Sequence, residues 1–131
     1  MRAVVGIALL GLLGACSKAP DKADPAKAAS PRDAVVAAWT ADKLAPSKLA
    51  PATVAFAKDC QSSTVAGVEV LLCSFATPAD AKAAEDAGLG WVGAATGASQ
   101  AHGAVLIVVA DRKKADPNGK MINRLMKLAP K

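Results

Sequence analysis

Three cysteines, one histidine and a basic run near the C-terminus are the residues whose types and spacing bear on chemistry in this 131-residue chain. His102 lies close to Ser99 in a stretch rich in Gly and Ser, and Asp111 follows within ten residues. A Ser-His-Asp set could in principle be recruited from these three, but no Gly-x-Ser-x-Gly elbow accompanies them. One histidine cannot build a zinc site, and neither a Glu-x-x-His nor a His-x-x-x-His pair exists. Glu69, Asp80, Glu85 and Asp86 supply carboxylates, yet no spacing singles out an acid/base pair. Gly97-Ala98-Ser99-Gln100 lacks the Gly-Lys-Ser/Thr of a phosphate loop. Tyrosine is absent, which argues against a sugar platform or a single-strand platform built on stacked rings. The expectation is a protein that is no enzyme, with no catalytic set, no metal, no cofactor and no nucleic-acid partner.

Charge is unevenly placed. Net charge is +5 overall. Residues 32–110 carry five basic and seven acidic side chains, whereas residues 111–131 carry seven basic and two acidic ones. Arg112, Lys113, Lys114, Lys120, Arg124 and Lys127 are therefore the candidate contacts for an anionic surface: lipid headgroups, lipopolysaccharide phosphates or an acidic partner. The alternative is a solvated polar face on a helix whose apolar side closes the core.

The N-terminus is a targeting segment by composition. Met1-Arg2 is a short basic start, and Ala3–Leu13 is an unbroken run of Ala, Val, Ile, Leu and Gly. Eleven apolar residues are too few to span a bilayer, which takes about 20, and the pattern is that of an export signal. Leu13-Gly14-Ala15-Cys16 follows and resembles the lipobox of bacterial lipoproteins. The resemblance covers only these first sixteen or so residues. It implies that the Cys16 sulfur receives a diacylglyceryl group, that cleavage falls before Cys16, and that the new amine is acylated. It also implies a protein anchored in the cell envelope. Ser17 stands where an Asp would signal inner-membrane retention in the best-studied members, which favours the outer membrane over the inner.

On that assignment, residues 1–15 are signal peptide and residues 16–30 are the lipidated terminus and tether. Ser17–Ser30 holds Pro20, Pro25, and alternating Lys and Asp, with no large apolar side chain. Extended at ~3.1 Å per residue, it would reach on the order of 40 Å. Cys16 is consumed by lipid, so Cys60 and Cys73 remain as a pair in an oxidising compartment.

The elements that must position these groups occupy residues 31–131, read as one globular domain. Ser30-Pro31-Arg32-Asp33 is a helix start with a capping box, and Val35, Val36 and Trp39 form its apolar stripe. Residues 60–65 and 68–75 read as strands around an Ala66-Gly67 turn. If Val65 pairs with Val68, Cys60 meets Cys73 at a non-hydrogen-bonded position, where Cα atoms lie about 4.5 Å apart and a disulfide can form. Ala66 is the weak point, because a type I′ turn asks for φ > 0 there. A bulged turn would shift this register by one.

Thr77-Pro78-Ala79-Asp80 starts a second, alanine-rich helix expected to stop at Gly88. Trp91–Thr96 is a short strand candidate, and Gly97–Gly103 reads as a loop. Ala104–Ala110, all apolar, suits a central strand. Asp116-Pro117 caps a last helix with Met121, Ile122, Leu125 and Leu128 on one face. The fold expected is α+β: a small antiparallel sheet of about four strands in two hairpins, in the order α-ββ-α-ββ-α. Two helices would pack on one face, with the first helix at an edge or across the open face. The function expected is a lipid-anchored, non-catalytic binding or interaction module facing the periplasm, with an envelope protein as partner. The alternatives are the anionic-surface binder and, further off, an enzyme or inhibitor working from the 97–103 loop.

Overall fold

The two-residue turn at Ala66-Gly67 organises the sheet. Both residues take left-handed backbone, φ 49° and 89°, so the strands on either side meet without a bulge. The structure, a computed structural model, describes residues 30–131. The expected export signal, the lipobox-like residues and all of the expected tether but Ser30 lie outside the described residues. Across the turn, β2 (Ala57–Val65) pairs with β3 (Val68–Ser74) in the register Val65↔Val68 through Cys60↔Cys73. The cysteines are joined in a disulfide with Cα atoms 4.0 Å apart.

The remaining elements are α1 (Pro31–Ala41), β1 (Ala50–Val54), α2 (Pro78–Ala83), α3 (Glu85–Val92), β4 (Thr96–His102), β5 (Val105–Asp111) and α4 (Lys120–Leu128). The class is α+β as expected. The sheet, however, has five antiparallel strands in the order β1-β2-β3-β5-β4, and the described residues form four helices, so their element order is α-βββ-αα-ββ-α. The added strand, β1, contains Pro51, whose missing N–H is tolerated because β1 is an edge.

Around Gly88 the expected order is reversed. The helical segment continues past Gly88 to Val92, with a break at Ala84, and the expected strand at 91–96 is the end of α3 and a turn. The stretch 97–103, expected as a loop, is mostly the edge strand β4. Its small residues are there for packing rather than flexibility. A Cβ at Gly88 would sit 2.2 Å from the Ser99 Oγ, and one at Gly97 would sit 2.1 Å from the Val109 carbonyl oxygen. Bare glycine on both elements lets α3 lie directly on β4. The Ala101 N–H, on the outer edge of β4, donates to the Glu85 carboxylate at 2.8 Å. An acidic side chain therefore covers part of an otherwise uncharged edge.

Helices cover both faces of the sheet, and α4 shares a face with α1 and not with the second helical segment as expected. Along β3 and β5 side chains alternate between faces. Val70, Leu72, Val105, Ile107 and Val109 pack with Val35 and Trp39 of α1 and with Ile122 and Leu125 of α4. Leu71, Cys73, Leu106, Val108 and Ala110 pack with Ala84 and Val92 on the α2–α3 side. That is why Ala104–Ala110 is apolar throughout: a strand buried on both faces has no polar side.

Helix α1 begins as expected. The Ser30 Oγ accepts the Asp33 N–H at 3.1 Å, and the Asp33 carboxylate accepts the Ser30 N–H at 3.2 Å. Trp39 is fully buried, and its indole N–H donates to the Leu125 carbonyl at 2.9 Å. Helix α4 starts later than expected, at Lys120 after Gly119 with φ 70°. Asp116 still serves it, since its carboxylate accepts the Ile122 N–H at 2.9 Å.

Candidate functional site

Alternation along β4 and β5 decides which polar groups can meet. Ala98 packs into the α1–α4 side of the core, so Gln100 and His102 share its face, while Ser99 lies under Gly88 on the other. Asp111 is further off again. It pairs with Thr96 at one end of the β4–β5 ladder, whereas His102 pairs with Val105 at the opposite end. Six residues of strand separate the two ends, about 20 Å. Ser99, His102 and Asp111 therefore do not come together.

Each of the three has a local environment instead. The Asp111 carboxylate accepts the Ala115 and Asp116 N–H groups at 2.7 and 2.8 Å and ties down the turn that follows β5. The Ser99 Oγ is buried without a hydrogen-bond partner, squeezed against α3. His102 is 6% exposed. Its Nε2 lies 3.1 Å from the Gln100 Oε1, and its Nδ1 is buried without a partner. Burial lowers the His102 pKa, with backbone carbonyls of Pro130 and Ala129 opposing the shift.

The six candidate anion contacts fall into separate places. Arg112 continues β5 on the α2–α3 side. Its guanidinium stacks 4.4 Å from the Trp91 ring centre, ion-pairs with Glu69 at 3.2 Å and donates to the Trp91 carbonyl. It pins α3 to the sheet. Lys113 and Lys114 are exposed in the turn beyond it.

Lys120, Arg124 and Lys127 stay together on the outer face of α4, because Ile122 and Leu125 turn inward. Arg124 is engaged. Its Nε donates to the Asp42 carboxylate at 2.6 Å, and the two also form an ion pair that binds α4 to the end of α1. Lys120 and Lys127 make no ion pair among the described residues. With Asn123 and Leu128 they line a surface groove of about 480 Å³. Asn123 and Lys127 also line a neighbouring depression of about 360 Å³ that reaches Gln100, His102 and Lys131. Lys131 is not among the six candidates. It lies beyond the end of α4, so helical spacing gives no signal for it.

Among the described residues no group of three or more His, Cys, Asp or Glu side chains is placed to hold a metal ion, and no helix is long and apolar enough to cross a membrane. Comparison with protein-family models, with curated proteins and with solved structures yields no match.

Proposed function

We propose that the chain is a bacterial lipoprotein: an exported α+β module held in the cell envelope by acyl chains on Cys16, and acting by binding rather than catalysis. The observation that carries this reading is the division of the three cysteines. Cys60 and Cys73 are bonded to each other in the sheet, which suits an oxidising compartment. Cys16 is left over, and it stands directly after Leu13-Gly14-Ala15. Two or more acyl chains hold a protein stably on a bilayer where one does not. The dispersal of Ser99, His102 and Asp111 supports a binding role, and an envelope protein facing the periplasm is the partner proposed. Ser17, in place of Asp, supports the outer membrane.

Growth with an alkyne-bearing fatty acid tests this reading. The full chain should incorporate the label, and Cys16→Ser should lose it and accumulate as unacylated, uncleaved precursor. A full-length chain without label, or a Cys16→Ser chain that keeps it, overturns the assignment. A second reading, contact with an anionic surface, is favoured by one observation: Lys120 and Lys127 project from α4 with no ion-pair partner among the described residues.

A further inference from the structure

We propose that the α1–α4 layer is the membrane-facing side of the module and that its lysines rest on anionic lipid headgroups. The inference depends on the anchored-module reading above and adds an orientation to it.

Two independent features converge on this side. The first is charge. The described α1 and α4 segments, residues 31–44 and 120–131, hold Arg32, Lys43, Lys120, Arg124, Lys127 and Lys131 against Asp33 and Asp42. Asp42 is taken by Arg124, Asp33 is turned back onto its own helix start, and Arg32 is held by Asp59 of β2, which leaves Lys43, Lys120, Lys127 and Lys131 without an ion pair among the described residues. The α2–α3 segment, residues 77–93, holds Asp80, Glu85 and Asp86 against Lys82 alone. The two helical layers lie on opposite faces of the sheet, so the layer on one face has an excess of basic side chains and the layer on the other an excess of acidic ones. Near an anionic bilayer such a molecule turns its basic side down, since the surface potential acts over about one Debye length, ~10 Å at 0.1 M salt.

The second feature is where the tether joins. Pro31, the first residue of α1, lines a small cavity of about 240 Å³ together with Ala34, His102 and Lys131. The chain leading back to Cys16 therefore enters beside Lys131, at the end of the molecule where the basic face of α4 finishes. A tether of fourteen residues, Ser17–Ser30, is long enough to leave the domain free to lift away. Tethering raises the effective concentration of the lysines at the surface, so weak contacts suffice to hold the layer down. Arg112 is excluded from this surface: it is on the other face, committed to Trp91 and Glu69.

Hydrogen exchange on the full chain, purified from membranes and reconstituted into vesicles, tests the orientation. Phosphatidylcholine vesicles are compared with vesicles that also contain phosphatidylglycerol. The expected result is slower amide exchange in residues 120–131 on the anionic vesicles only, reversed by high salt, with residues 78–92 unchanged. A lysine close to such a surface favours contact about fivefold. The triple variant Lys120→Glu, Lys127→Glu, Lys131→Glu should lose the protection, and the matching arginine variant should keep it. Equal exchange on both vesicles, or protection centred on α2–α3, overturns the proposal. Intact mass of the same sample tests the anchor separately. A chain without acyl groups that still shows salt-reversible protection of α4 would overturn the anchor and leave the basic surface standing. An acylated chain without that protection would do the reverse.

Discussion

Cys60 and Cys73 face each other across β2 and β3, bonded, with Cα atoms 4.0 Å apart and thirteen positions apart in sequence. The pair joins adjacent strands on the α2–α3 side, where α2 and α3 lie over β4 and β5 and where Phe56 and Phe75 pack against the cluster that holds the cysteines. The disulfide therefore braces the half of the sheet that has least helix above it.

Closing a loop of this length restricts the unfolded chain by about 3 kcal/mol in the loop-entropy account. The Cys60→Ser, Cys73→Ser double variant should lose about that much stability in urea unfolding, with reductant having no further effect on it. Intact mass under non-reducing conditions should show no free thiol on Cys60 or Cys73. A free-thiol pair would count against the bond and against the proposed export.

Gly88 and Ser99 form a contact that only bare glycine allows. Gly88→Ala should destabilise by about 1–3 kcal/mol, because the new Cβ meets the Ser99 Oγ and Val108 with no room to move. Ser99→Gly should recover a substantial part of that loss in the double variant, as neighbouring substitutions are not additive. Ser99→Ala alone should be neutral or mildly stabilising, since it removes a buried hydroxyl without a partner. A thermal-denaturation cycle over the four proteins measures the coupling.

His102 makes stability depend on pH in a set direction. Burial lowers its folded-state pKa below the ordinary 6.5. The unfolded chain therefore binds a proton that the folded one resists, and stability rises with pH over that interval. It should be fully present above about pH 6.5 and fall as the pH drops through the lowered folded value. Lys131 adds to the lowering and Glu85 opposes it. His102→Gln should flatten the profile between neutral and mildly acidic pH, measured by urea unfolding at matched ionic strength. An unchanged slope would assign the effect to other groups.

Some of this architecture was legible because it is local. The Val65↔Val68 register follows from a two-residue turn, and every later pair down to the cysteines follows from the first. The start of α1 was legible for the same reason: Ser30, Pro31 and Asp33 satisfy one another within a single turn. The stretch 96–102 was not. Thr-Gly-Ala-Ser-Gln-Ala-His has the composition of a loop, and it forms a strand because β5 offers a ladder on one side while α3 needs small residues beneath it.

The sequence by itself determined the hairpin register, the pairing of Cys60 with Cys73 that follows from it, and the amphipathic face of α4, each a relation among residues close along the chain. Only the tertiary structure decided that helices cover both faces, that Ser99 and His102 point apart, and that Arg112 is parted from Lys120, Arg124 and Lys127. The physical reason is the two-residue period of a strand. Neighbours such as Asp111 and Arg112 leave β5 on opposite faces, and what each then meets depends on which helix the rest of the chain lays there.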